Sequence, residues 1–278
     1  MISVLNNVSS LVAENALSST QTNLQNTLQQ LSTGLRINSG ADDPAGLSIA
    51  NGLGANISAL TQSSQNASNG VGLLQTADGA LSRVTTLLNQ AVSIATEASN
   101  GGLTLAQSTA ADTEFQSILS EITQIGATTN FNGSAVFSAT AQTVFTSDGT
   151  TTGTTTTSTI TGALSATSLA LNADTLTGAT PAAGVIAATT ALTNLTAAID
   201  TVSASRGTIG ASVNQLTADE GVQSTEVQNL TSAQNNIQNA DIGTTVAHMT
   251  QYNVLEQTGM AALSQSNSAQ QSVLKLLQ

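Results

Sequence analysis

With 278 residues the chain is long enough for one or two domains with their own cores. Only 7% of it is charged, against about 25% in an average soluble domain. Lys and Arg number 4 against 16 Asp and Glu, for a net charge of −12. The four cations, Arg36, Arg83, Arg206 and Lys275, are scattered, which argues against a nucleic-acid partner because phosphate neutralisation needs clustered bases. Cysteine is absent, which excludes disulfides and thiolate metal sites. No apolar run approaching the roughly 18 residues of a membrane span stands out, so no membrane partner is expected.

The first helical pattern covers residues 2–35, with Val4, Val8, Leu11, Val12 and Leu17 followed by a seam of Leu24, Leu28, Leu31 and Leu35 at alternating four and three spacing. Its polar residues are Ser, Thr, Asn and Gln, which give little intrinsic helix support. This helix is therefore expected to fold only against a partner. The pattern stops at Leu31 to Asn51, LSTGLRINSGADDPAGLSIAN. Gly34 and Gly40 weaken helix there, and Asp42 and Asp43 ahead of Pro44 read as an acidic cap with proline at the first helical position. Gly34, Arg36, Asn38, Asp42, Asp43 and Pro44 thus form a joint between two helices, with Arg36 expected to pair with Asp42, Asp43 or a neighbouring subunit.

A second helix is expected from Asp43 towards Leu74, its continuity weakened by Gly52, Gly54, Gly70 and Gly72. A firmer stretch runs from Ala80 to Ala98 with Leu88 and Ala95 on its stripe, and Asn100, Gly101 and Gly102 stop it. A third helix is expected to begin near Asp112 and to carry Phe115, Ile118, Leu119 and Ile122, ending before Asn130. Between residues 134 and 171 the sequence predicts two to four short strands around a threonine-rich loop. Ser134 to Phe137 and Gln142 to Ser147 are β-prone, Asp148 and Gly149 give a turn signal, and Thr150 to Ile160 is almost all threonine.

Helix returns at Pro181. Leu195, Val202, Ile209, Leu216, Leu230 and Ile237 fall on one seven-residue ladder broken only by Gln223, which predicts a coiled-coil-like helix of roughly 60 Å. The last segment keeps helical spacing through Val246, Met249, Asn253, Glu256, Met260 and Leu263, and ends on Val273, Leu274, Leu276 and Leu277.

Several stretches resemble bacterial flagellins: LSTGLRINSGADDPAGLSIAN in the joint, LLQTADGAL at Leu73 to Leu81, EASNG at Glu97 to Gly101, TNFNG at Thr129 to Gly133, and the terminal segment from Asn229 with its NADIG and VLKLL. The resemblance covers roughly the first 135 and last 85 residues. It implies a mainly α fold, an elongated helical bundle or coiled coil built from both chain ends, with a small β-hairpin region in the middle. Residues 1–43 with 238–278 would form a terminal pair, the inner tube of a filament, disordered in the monomer. Residues 44–133 with 181–237 would form the outer-tube bundle, and residues 134–180 a small variable region. Leu24, Leu28, Leu31, Leu35, Val246, Met249, Met260, Leu263, Leu274 and Leu277 are then candidates for the assembly interface. Leu88, Ala95, Ile118, Leu195, Val202, Ile209 and Leu216 are candidates for the outer-tube core.

The implied function is structural and not enzymatic: a subunit that polymerises into the flagellar filament for motility, exported without a cleaved signal and located outside the cell. The N-terminus MISVLNNVSSLVAEN indeed lacks a basic region followed by an apolar core. The implied partners are further copies of the chain, an export chaperone, the filament cap and hook-junction proteins, with no cofactor. Gln90, Ala91, Val92 and Ser93 stand where flagellins detected by the vertebrate Toll-like receptor carry a charged Arg-Val-Arg-Glu-like group, which predicts weak or no receptor activation. A hook-associated junction protein would share the N-terminal signature but differ at the C-terminus. An enzyme or an adhesin would need catalytic residues or central repeats that are not found.

Other singled-out residues have plainer readings. His248 is a helix-face residue, and with one histidine no HExxH site exists. The Asp42–Asp43 pair caps a helix before it acts as a catalytic dyad. GLGA at Gly52 lacks the following Lys and the preceding strand of a phosphate loop. The threonine run is a solvated loop with O-glycosylation as a hypothesis.

Overall fold

The computed structural model describes residues 7–138, 142–147, 155–158 and 163–276. Five helices carry them: α1 Val8–Thr33, α2 Pro44–Ala98, α3 Leu105–Thr128, α4 Pro181–Gln238 and α5 Ile242–Leu276. Two small antiparallel hairpins lie between α3 and α4. The first joins β1 Asn130–Phe131 to β2 Ser134–Ala135, and the second joins β3 Gln142–Phe145 to β4 Thr155–Ser158 in the register Gln142↔Ser158 to Phe145↔Thr155. The mainly α architecture with a small β region is therefore as the sequence predicts. The Asp148–Gly149 turn and most of the threonine run lie outside the described residues.

Contacts divide the chain into two compact units, Met1–Ala55 with Asn229–Gln278, and Asn56–Gln228. The second unit holds the larger core. From α2 come Leu74, Leu81, Val84, Leu88, Ala91 and Ala95; from α3, Phe115, Ile118, Leu119 and Ile122; and from α4, Leu195, Val202, Ile209 and Leu216. The heptad ladder of α4 is thus buried over this stretch. Gln223 is also buried, with its Oε1 lacking a hydrogen-bond partner among the described residues. Two of the four cations pair with carboxylates of neighbouring helices. Arg206 donates two hydrogen bonds to Asp78, at 2.7 and 3.3 Å, and Arg83 lies 3.7 Å from Glu121.

Three expectations need correcting. First, the two pieces expected between Asp43 and Ala98 are one continuous helix. Each glycine costs about 1 kcal/mol of propensity, but tertiary packing overrides it, and at Gly70 it explains the residue. A Cβ there would lie 2.7 Å from Val144 Cγ2 and 3.1 Å from Leu216 Cδ1, so the absence of a side chain lets three elements meet. Second, α3 begins at Leu105 and not near Asp112. A capping box starts it, with Thr104 Oγ1 accepting from Gln107 N and Gln107 Oε1 accepting from Thr104 N.

The two to four short strands expected between residues 134 and 171 are present as β2, β3 and β4, and the chain from 163 to 180 contains no strand. It is an irregular strap whose Leu164, Leu169, Leu171 and Leu176 are buried in the same core. Polar side chains of α3 satisfy its backbone. Ser108 Oγ donates to Leu176 O, Asp112 Oδ1 accepts from Leu176 N, Gln116 Nε2 donates to Asp174 O, and Thr123 Oγ1 accepts from Ala166 N. Ser108, Asp112 and Gln116 are four residues apart, so one face of the helix reads the strap continuously. The strap contributes one orphan, Asp174 Oδ2, buried without a hydrogen-bond partner among the described residues, while its Oδ1 accepts from Asn194 Nδ2.

Third, α4 contains a window long and apolar enough, by length and composition alone, to cross a membrane. Much of that apolarity is alanine, and Ala188, Ala191, Leu195, Ala198 and Val202 lie in the helical core.

Candidate functional site

The first unit is a helix pair tied by a joint. α1 starts on Asn7, whose Oδ1 accepts from Ser10 N, and ends on Gly34 at φ 73°, whose N–H donates to Gln30 O. That left-handed C-cap is the conformation glycine adopts without strain. α5 runs antiparallel to α1. At one end Ser10 Oγ donates to Asn267 Oδ1 at 3.0 Å and Asn7 Nδ2 to Ser266 O at 3.4 Å, and further along Gln21 Nε2 donates to Glu256 Oε1 at 3.3 Å. Leu17 packs over Gly259, where an added Cβ would lie 3.4 Å from Leu17 Cδ1.

The seam of this pair is small and polar. The buried residues along α1 and α5 are Ser10, Thr27 and Thr245, while Leu24, Leu31, Met249 and Leu263 are half-buried. Large apolar side chains point away from it. Val8 and Val12 are each 63% exposed, and Leu11, Leu28, Val246, Val254, Leu255 and Met260 are exposed as well. Among the predicted interface residues, Leu28, Val246 and Met260 are therefore exposed. Leu274 lies in the last turns of α5, and Leu277 lies outside the described residues. His248 is exposed on α5 and stacks on Tyr252 with ring centroids 6.2 Å apart.

The joint is built from both chain breaks at once. Leu35 and Asn239 form an antiparallel bridge, in which Arg36 N donates to Gln238 O at 2.7 Å and Ala240 N donates to Gly34 O at 2.9 Å. Arg36 does not pair with Asp42 or Asp43. Its Nη2 donates to Ile237 O at 2.7 Å, placing positive charge on the carbonyl end of α4, where the helix dipole favours it.

The carboxylates of the joint serve the backbone. Asp42 Oδ2 accepts from Asn38 N, Ser39 N and Ser39 Oγ, and the two backbone donors hold its carboxyl below the usual carboxylate range. Asp43 Oδ1 accepts from Gly46 N at 2.9 Å, so Asp43 is the N-cap of α2 with Pro44 at the first helical position, as the sequence predicts. Asn38 Nδ2 closes the turn onto Leu35 O. Ile37, which the sequence reading passed over, is the buried anchor of the joint. A Cβ on Gly46 would lie 2.8 Å from its Cδ1. A lone apolar residue amid polar turn residues was the available signal.

In the other unit, Leu88, Ala95, Ile118, Leu195, Val202, Ile209 and Leu216 all belong to one buried cluster. Gln90 and Ser93 are exposed on α2, whereas Ala91 is buried and Val92 packs against the core. No group of three or more His, Cys, Asp or Glu able to hold a metal occurs among the described residues.

Comparison with known proteins matches residues 4–142 to the bacterial flagellin N-terminal helical region and residues 192–277 to the bacterial flagellin C-terminal helical region. A flagellin of Halalkalibacterium halodurans is 34% identical over 254 residues, covering 91% of each chain. The chain belongs to the bacterial flagellin family. A flagellin of Listeria monocytogenes is 29% identical over 281 residues and covers 98% of both chains, and flagellin 1 of Proteus mirabilis is 40% identical over 139 residues, half of this chain and 38% of its own. The chain is accordingly a structural subunit that polymerises into the extracellular filament of the bacterial flagellum.

Proposed function

We propose that the α1–α5 pair is the part of the subunit that completes its fold in the polymer and forms the inner tube, while the Asn56–Gln228 unit folds by itself and forms the outer tube. The observation that carries this is the inverted burial of the pair: Ser10, Thr27 and Thr245 are inside, and Val8, Leu11, Val12, Val246, Val254, Leu255 and Met260 are outside. Burying each such side chain contributes about 1.5–3 kcal/mol, while ordering backbone costs about 1–2 kcal/mol per residue. A pair that leaves its large apolar groups in water lacks that gain until neighbouring copies cover them.

Hydrogen exchange with electron microscopy tests this reading. In the monomer, amides of α1 and α5 exchange freely while those of the 56–228 unit are protected. In salt-induced filaments both are protected. Protected terminal helices in a monomer that makes no filaments would overturn it.

Export without a cleaved signal, and association with an export chaperone, the filament cap and hook-junction proteins, follow from family membership as further parts of the proposal. Weak or no Toll-like receptor activation rests on the uncharged stretch Gln90, Ala91, Val92 and Ser93. A reporter-cell response equal to that of a flagellin with charged residues there would refute it.

A further inference from the structure

The sequence contains four Asn-Gly dipeptides, beginning at Asn51, Asn69, Asn100 and Asn132. An asparagine amide followed by glycine is open to attack by the next backbone nitrogen, because glycine has no Cβ to block the approach. All four asparagines are exposed, so access to water does not distinguish them and backbone geometry must. The attack requires the Asn-Gly peptide to rotate until its nitrogen faces the side-chain carbonyl carbon, with the reacting atoms about 3–3.5 Å apart. Asn51 and Asn69 lie inside α2, where the N–H of the following glycine belongs to the helical hydrogen-bond ladder and cannot turn. Asn132 and Gly133 form the tip of the β1–β2 hairpin at φ 50° and 80°, and the pairs Phe131↔Ser134 and Asn130↔Ala135 clamp that turn from both sides.

Asn100 is held differently. It lies in the turn between α2 and α3, outside both helices, and Gly101 and Gly102 after it are exposed. Among the described residues the Gly101 N–H donates to no backbone carbonyl, so no such bond has to break before that nitrogen turns. A Cβ at Gly101 would meet no atom within 4 Å, so the space for rotation is open. The Asn100 side chain folds back over the same peptide, its Oδ1 accepting from Gly102 N at 3.4 Å. That contact lays the amide across the Gly101 nitrogen. It also places a donor on the oxygen that gains negative charge when the nitrogen adds to the carbonyl carbon.

We propose that Asn100 is a modification site at which the chain converts its own asparagine amide into an aspartyl or isoaspartyl carboxylate, with water as the co-reactant. The Gly101 nitrogen gives its proton to solvent hydroxide and bonds to Asn100 Cγ. The Cγ–Nδ2 bond breaks, and the nitrogen takes a proton from water and leaves as ammonia. Water then opens the cyclic imide at either carbonyl, so one water is consumed and one ammonia released overall. Either product sets a carboxylate at the carbonyl end of α2 close to Glu97, in a stretch, 98–111, that otherwise holds no Asp, Glu, Lys or Arg. Negative charge there opposes the helix dipole. In the isoaspartyl product the main chain gains a methylene, and the carbonyl that accepts from Leu103 N at 3.3 Å becomes a free carboxylate. The hydrogen bond from Asn100 N to Glu97 O at 3.1 Å sits in the same turn, so the link from α2 to the Thr104 cap loosens. In an extracellular filament each subunit carries that change for as long as the filament lasts.

Ageing the purified chain at mildly alkaline pH, folded and in urea, tests this, with peptide mass spectrometry reading the gain of one mass unit at each Asn-Gly pair. In urea all four pairs are expected to react at comparable rates. In the folded chain Asn100 is expected to react at least about tenfold faster than the other three, because only its nitrogen turns without unfolding. Another pair reacting as fast in the folded chain, or Asn100 reacting as slowly as the pairs in α2, would overturn the proposal. Gly101→Ala adds a Cβ that meets nothing, on a backbone outside the left-handed region. It is expected to lose the reaction at Asn100 and to melt no lower than the unsubstituted chain, and an unchanged rate would show that the Gly101 nitrogen is not the attacking group. Aged chain should melt below fresh chain while aged Gly101→Ala does not, and equal melting of fresh and modified chain would refute the loosening of the turn.

Discussion

Gly126 lies buried in α3 directly under the strap, and replacing it by alanine isolates what the strap contributes. A Cβ at this position would overlap the Leu164 carbonyl oxygen and lie 2.7 Å from the Leu164 carbonyl carbon, so backbone must move. Overpacking of this kind costs about 1–3 kcal/mol. Displacing the strap also strains the hydrogen bond from Ala166 N to Thr123 Oγ1, worth about 1 kcal/mol. Against these stands the gain of about 1 kcal/mol for alanine over glycine in a helix.

The net loss of about 1–3 kcal/mol corresponds to a fall in melting temperature of about 2–12 °C for a unit of this size. Gly79→Ala in α2 is the control, because nothing lies within 4 Å of its added Cβ and the propensity gain stands alone. Circular dichroism melts of the two variants should move in opposite directions. Gly126→Ala melting above the unsubstituted protein would show that the strap does not pack on α3 as described.

Gly34→Ala meets no neighbour but forces a left-handed residue at φ 73°, a cost of about 1–2 kcal/mol. It is expected to raise the critical concentration about 5–30-fold by filament sedimentation while leaving the 56–228 unit's melting temperature alone, and equal losses of both would place the joint in the core. The Arg206 guanidinium holds the Asp78 carboxyl below its usual range. A carboxyl with a lowered folded pKa stabilises above its unfolded value, near 4, and loses that contribution as pH falls through the lower folded value. Melts of Asp78→Asn should therefore drop less steeply below pH 4 than those of the unsubstituted chain, and identical slopes would refute the pairing. Thr104→Ala removes the α3 capping box at a cost of about 1 kcal/mol, a melting shift of about 2–4 °C that Thr104→Ser should largely restore.

Features that depend on local chemistry were legible in the sequence: the Asp43–Pro44 helix start, the break at Gly34, and the α4 ladder through Leu195, Val202, Ile209 and Leu216. Each follows from spacing or from what one residue's backbone allows. Two local signals were present and unused: Thr104-x-x-Gln107 as a capping box, and Asn132-Gly133, whose φ values of 50° and 80° turn β1 into β2.

Long-range pairings were not legible, because nothing near a residue in sequence specifies its distant partner. Gly70 reads as a helix breaker until Val144 and Leu216 are seen against it. Arg36 reads as a partner for nearby Asp42 until the carbonyl of Ile237, some 200 residues away, takes it. The strap reads as loop because its burial is aperiodic, and only the polar stripe of α3 explains how its backbone leaves water. Sequence by itself thus determined that the chain is mainly helical, that it breaks at the joint between Gly34 and Pro44, and that it is built to polymerise. Tertiary structure decided which faces those helices hide, because an amphipathic pattern marks an apolar stripe without saying whether another helix of the same chain or a second copy covers it.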